Sequence, residues 1–278
     1  MKTIIKKYQM PIFLAMTLII SWLPWYAGLG AETMNMGPSI AAFLTVGLIG
    51  GFPEIKKLLR RFSRIRANVY IWLFALIGTA VLYITGVLIY WLISRELPPF
   101  TMIREELHLI PLYLIFVVLM PWQGPVGEEF GWRGYMLPRL QGKYGPLLAS
   151  VFIGGFWSFW HLPVFFAELG VIPAMVESVG FIFFLPYTLG TVANSIIMTW
   201  LFNRSGRSAL IAGIVWHAAT NFWAPVLLSD SSLVAARQGI DLPTIPSTLY
   251  LIVLAVQILF ASALVVTTRG KLGIEKNS

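Results

Sequence analysis

Long apolar runs separated by short polar or charged segments set the plan of this chain. A helix needs about 20 largely apolar residues to cross the hydrocarbon core of a bilayer. Eight stretches of roughly that size lie near 9–29, 37–53, 69–94, 107–140, 145–162, 179–202, 208–228 and 247–267. Backbone polar groups in lipid must be satisfied within their own segment, so these runs predict helices. The expectation is an all-α polytopic membrane protein: one integral membrane domain over 1–278 built as an eight-helix transmembrane bundle. Lys2, Lys6 and Lys7 precede a first run that extends from Met10 to about Leu29, long for a signal sequence, so it reads as an uncleaved anchor.

Charge supports this layout and orients it. Of the 20 Lys and Arg residues, 17 fall on the side of the bundle that carries the N-terminus, leaving Arg95, Arg104 and Arg237 opposite. The positive-inside rule therefore predicts both termini in the cytoplasm, in what reads as a bacterial cell membrane. The net charge of +8 would suggest nucleic acid in a soluble protein, but the loop asymmetry accounts for it and no nucleic-acid partner is expected. The dense run Glu54 to Arg66 reads as a short amphipathic helix on anionic inner-leaflet lipid. Composition agrees: 58% hydrophobic against 12% charged residues cannot clothe a water-soluble surface. The chain has no cysteine, which removes thiol nucleophiles and thiolate metal sites. No internal repeat suggests an inverted-repeat transporter.

Ionisable groups inside apolar spans are costly, so they are the first place to look for function. One cluster is Gly127-Glu128-Glu129-Phe130-Gly131-Trp132-Arg133-Gly134-Tyr135. On a helix Glu129 and Arg133 are i,i+4 neighbours able to pair, while Glu128 is rotated by about 100° and keeps its carboxylate free. That suits a catalytic acid with a structural clamp beside it; a boundary ion pair would use the same residues. A second cluster is Trp157-Ser158-Phe159-Trp160-His161-Leu162-Pro163, in which Trp157 precedes His161 by one turn and can shield the imidazole. In the third, Trp216-His217-Ala218-Ala219-Thr220-Asn221, His217 and Asn221 share a helix face and can donate to one small target, or simply bond a neighbouring helix. Asn194, Ser195 and Thr199 read as helix-to-helix or backbone partners, and His108 as interfacial.

Depth tests whether the clusters can meet. At 1.5 Å per residue, Glu128 lies about 16 Å and His217 about 15 Å from the nearest basic marker, whereas His161 lies about 24 Å along its helix. Bringing Glu128 to the histidines calls for a long fourth span, kinked rather than ended by Pro121, Gly124 and Pro125. If the helix stopped at Trp122, Glu128 would sit at the inner interface. The expected result is one wet pocket opening toward the cytoplasm.

Glu128-Glu129-x-x-x-Arg133, an aromatic-x-x-x-His161 and His217-x-x-x-Asn221, in that order on separate spans, resemble the motif set of the CAAX prenyl protease and bacteriocin-processing family. The resemblance covers about residues 110–230, with Trp157 where that family commonly has Phe. It implies an eight-span intramembrane glutamic endopeptidase acting on a peptide or protein substrate that is lipidated in one branch of the family. It further implies that Glu128 and His161 hold and activate a water, that His217 and Asn221 form an oxyanion hole, and that Glu129 and Arg133 position Glu128. No cofactor is implied.

Other chemistries use some of the same residues. Glu128, Glu129, His161 and His217 are plausible Zn²⁺ ligands for a zinc-dependent membrane metalloprotease, although the helical H-E-x-x-H signature is absent. A serine hydrolase built on Ser158 and His161 lacks a G-x-S-x-G context. A transport protein would use the carboxylates and imidazoles as a proton or ion relay. A non-catalytic immunity protein would use them only to hold helices together.

Overall fold

The computed structural model describes residues 6–29, 34–119, 124–167, 171–230 and 245–274. Six helices among them are long and apolar enough to cross a membrane: Gln9–Tyr26, Val69–Ser94, Pro146–Phe166, Phe181–Arg204, Leu210–Leu228 and Ser247–Thr267. The protein is an all-helical, polytopic integral membrane protein. We number its principal helices α1 (Gln9–Tyr26), α2 (Gly37–Gly50), α3 (Phe52–Leu59), α4 (Val69–Ser94), α5 (Ile110–Leu119), α6 (Pro125–Glu129), α7 (Leu137–Tyr144), α8 (Pro146–Trp160), α9 (Val171–Val179), α10 (Phe184–Arg204), α11 (Trp216–Leu228) and α12 (Ser247–Thr267). Among the described residues each of the eight expected stretches holds helix, yet two of them are not simple spans.

The second stretch stops early. α2 has 14 residues, about 21 Å of helix, and ends where Gly51 takes φ 63° and starts α3 at once. The fourth stretch is not one long kinked helix. Gly124, at φ 100°, leaves the helical conformation, and a helix starts at Pro125, a residue suited to a first turn because its missing N–H needs no partner there. From α6 the chain passes through a π-helical stretch, Phe130–Met136, into α7. A second π-helical stretch, Leu210–Val215, opens α11 and packs against the first. Pro121 and Trp122, named in the kink argument, lie outside the described residues.

α8 packs along α10, α11 along α4, α1 along α2, and α12 against both α10 and α4. Close approach between α8 and α10 depends on Gly154, where a Cβ would stand 2.5 Å from Val192 Cα. Small residues at such crossings let backbones touch, which is how helices associate where lipid removes the hydrophobic drive. A second device is the buried indole. Trp160 Nε1 donates to Ser21 Oγ (2.8 Å), Ser21 Oγ donates to the Met34 carbonyl (2.8 Å), and Trp22 Nε1 donates to the Trp160 carbonyl (3.0 Å). These bonds fix the end of α8, where His161 sits. Trp216 Nε1 donates to Asn194 Oδ1 (2.7 Å), tying α11 to α10 as the helix-to-helix reading of Asn194 expects.

The basic run after α2 does more than lie on lipid. Only Phe52–Leu59 is helical, with Leu58 buried; beyond it the chain docks on the bundle. Arg61 Nη1 donates to the Gly134 carbonyl (2.6 Å), Ala209 N–H donates to the Arg61 carbonyl (3.0 Å), and Ser208 Oγ donates to the Arg64 carbonyl (2.6 Å). The segment thus joins the two π-helical stretches. Within α3, the hydrogen bond from Lys57 holds the Glu54 carboxyl below the usual carboxylate range.

Candidate active site

Glu128 and Glu129 lie in the first turns of α6, both buried, Glu128 at 2% exposure. Starting a helix at Pro125 turns the two side chains in different directions, as their 100° offset requires. Glu129 Oε1 accepts from Arg133 Nη1 (3.1 Å), the expected i,i+4 pair, and also from His217 Nδ1 (2.9 Å) on α11. Glu128 is not left free. Its Oε2 accepts from Trp132 Nε1 (3.0 Å) and from Trp157 Nε1 (2.6 Å) on α8. Its Oε1 faces the other way.

Gly124 shows where. It has φ 100°, a conformation that glycine adopts freely, and it caps the start of α6. A methyl group placed on its Cα would lie 2.8 Å from Glu128 Oε1, 3.3 Å from His217 Nε2 and 3.4 Å from Asn221 Nδ2. A carboxylate oxygen, an imidazole nitrogen and an amide nitrogen therefore converge on one small volume. That volume belongs to a cavity of about 610 Å³, lined also by Trp157 and His161.

His161 closes α8 and leads into a 3₁₀ turn, Leu162–Phe166. Its Nδ1 lies 2.9 Å from the Trp157 carbonyl, which can only accept, so Nδ1 carries the hydrogen and the neutral ring keeps a lone pair on Nε2. Trp157 lies 6.0 Å from the His161 ring, while Trp160 packs edge-on at 4.6 Å and is the nearer shield. Trp157 instead stands between partners: its edge meets His217 at 5.2 Å, and the Arg133 guanidinium lies 5.0 Å over its face. Tyr113 on α5 donates to the Asn221 carbonyl (3.1 Å) and lines the same cavity. Ser158 faces elsewhere, sharing a hydrogen bond with Thr188 (2.6 Å). His108 is exposed.

The structure brings Glu128, His161, His217, Asn221 and Trp157 to one cavity, with Glu129 and Arg133 immediately behind it. The interrupted fourth span does not prevent this, because α6 starts within the bundle beside α11. The indole donors, Gly124 and Tyr113 are additions that the sequence motifs do not announce. A buried Trp or Tyr in an apolar stretch reads as core, and a glycine before a proline reads as a kink.

The cavity's position reverses one expectation. In α10 its lining residues are Tyr187 to Asn194, while Arg204 closes the helix; in α12 they run from Tyr250 to Gln257, while Arg269 follows the helix. Met102 and Ser229 also line it, at the same end. The cavity thus occupies the half of the bundle remote from the basic segments, not the half next to them.

Comparison with known proteins shows what this stretch is similar to. The pattern of the family described as type II CAAX prenyl endopeptidase Rce1-like matches residues 110–223, a stretch that contains Glu128, His161, His217 and Asn221. Residues 110–223 are thus similar to that family. A protein named CAAX prenyl protease 2 from Methanococcus maripaludis is 33% identical over 94 residues, which cover 34% of this chain and 34% of that protein. The match thus spans about a third of the length of this relative.

Proposed function

We propose that this Rce1-like chain, as a single integral membrane domain, is an intramembrane glutamic endopeptidase that hydrolyses a peptide bond. The observation that carries this reading is the convergence of Glu128 Oε1, His217 Nε2 and Asn221 Nδ2 on one point of a cavity that His161 also lines. A water held there gives a proton to Glu128 Oε1 as its oxygen bonds to the scissile carbonyl carbon. The Nε2 lone pair of His161 is the second acceptor that orients that water. The negative charge that forms on the carbonyl oxygen needs preorganised donors. Asn221 Nδ2 donates whatever the state of the imidazole; His217 Nε2 donates when both ring nitrogens carry hydrogen, with Glu129 as counterion to Nδ1–H. Collapse of the tetrahedral carbon breaks the C–N bond. The proton taken up by Glu128 passes to the departing nitrogen, so water and peptide give one new carboxyl and one new amine.

The substrate is a peptide or protein segment. Cavity walls that include Tyr83, Val117, Phe183 and Leu254 suit apolar or lipid-modified residues beside the bond, in keeping with the name of the archaeal relative. The surrounding partner is the lipid bilayer of a bacterial cell, with both termini in the cytoplasm. The reading invokes no metal ion.

The test compares purified wild type and Glu128→Ala on membrane extracts and on candidate peptides, scoring new peptide termini by mass spectrometry. Termini produced by wild type and absent with Glu128→Ala are expected, and cleavage should persist in a strong chelator. Equal cleavage by both proteins sinks the glutamate mechanism. Loss of cleavage in chelator that Zn²⁺ restores would return the site to the metalloprotease class, and substrate uptake without cleavage would make it a transporter.

A further inference from the structure

Trp132 and Trp157 come from different helical segments and donate to the same atom, Glu128 Oε2. A carboxylate oxygen offers about two lone-pair directions, so two indole N–H groups occupy Oε2 and leave Oε1 as the open one. Oε1 is the oxygen that faces Gly124, His217 and Asn221.

Neither indole can easily swing away. Trp132 is fully buried, boxed edge-on by Phe13 (6.1 Å), Phe156 (5.9 Å) and Trp160 (5.8 Å). Trp157 is held between Arg133 and His217. The choice of indole has a chemical reason. Its nitrogen only donates, so it can neither take the proton meant for Glu128 nor pair with the carboxylate as a cation. A phenylalanine at either place would keep an aromatic ring there and lose the donor.

Resting on the glutamic-protease reading above, we propose that Trp132 and Trp157 are positioning residues: a two-indole clamp pins Glu128 through Oε2 and makes Oε1 its sole proton acceptor. A hydrogen bond to a charged group is worth about 1.5–3 kcal/mol, about ten- to a hundredfold in rate if all of it acts in the transition state. Trp132→Phe and Trp157→Phe should each lower kcat about tenfold or more and leave KM within about twofold, because the apolar walls are kept. A purely structural role would lower the amount of folded protein and leave its kcat alone.

A second arm does not depend on activity. In ¹⁵N-tryptophan protein in detergent, Glu128→Leu removes the acceptor, and two of the chain's 11 indole N–H resonances should move together toward the unbonded range. If those two are also the resonances missing from the Trp132→Phe and Trp157→Phe proteins, the clamp is supported. Wild-type kcat in the double phenylalanine variant, or indole resonances unmoved by Glu128→Leu, would overturn it. Full activity of Glu128→Ala would sink the protease reading instead, with the resonance arm still deciding the clamp.

Discussion

At position 124 a side chain of any size would occupy the point on which Glu128, His217 and Asn221 converge. Gly124→Ala should therefore cost about 10²-fold or more in kcat by displacing the reacting water, in protein that still extracts and folds in detergent. Near-normal turnover would place the reaction elsewhere in the cavity. On the proposed mechanism Asn221→Ala removes one donor to the developing oxyanion, and a loss of about 10²–10³ in kcat is expected without loss of fold. At this scale the sequence was readable where spacing carries chemistry. Glu129 with Arg133, and His217 with Asn221, are one-turn pairs that any helix would juxtapose; the second pair faces the small volume and the first lies directly behind it. It was silent where chemistry comes from across the bundle. Nothing local says that Trp157 reaches Glu128, 29 positions earlier, or that Glu129 bonds His217, 88 positions later.

The helices themselves were legible from hydropathy, and their interruptions were not. Residues 107–140 read as one long apolar stretch, but α5, α6, the π-helical turn and α7 share it. A π-helical turn has no composition of its own; it is set by partners, here the packing of two such turns and the Arg61 bond to the Gly134 carbonyl. Nor did the basic run reveal from its charge alone that it would tie these turns together. The α8–α10 crossing offers a direct test of how closely the site is framed. Gly154→Ala sets a methyl against the Val192 backbone, which cannot move aside as a side chain would. It should destabilise the protein by about 1–3 kcal/mol and lower its unfolding temperature in detergent. Unchanged stability would mean that these helices are less tightly joined than their geometry implies.

Across the whole molecule, the absence of native cysteine makes orientation simple to measure. A single Cys at Arg64 should react with an impermeant maleimide only from the cytoplasmic side, and one at Arg95 only from the other; the opposite labelling reverses the assignment. The fold class and the gathering of the motifs were legible in the chain, but the end at which the cavity lies was not, because loop charge orients a bundle without saying which half is hollow. Were the arginine-rich rim in the cytoplasm, a cytosolic tail would have to pass this rim to reach Glu128. A client embedded in the bilayer, or approaching from the far compartment, meets the hollow half first. Sealed vesicles should then cut an added impermeant peptide when the far face is outward and spare it when they are inverted. An endopeptidase so placed would trim exported or lipid-borne chains after they have left the compartment in which they were made.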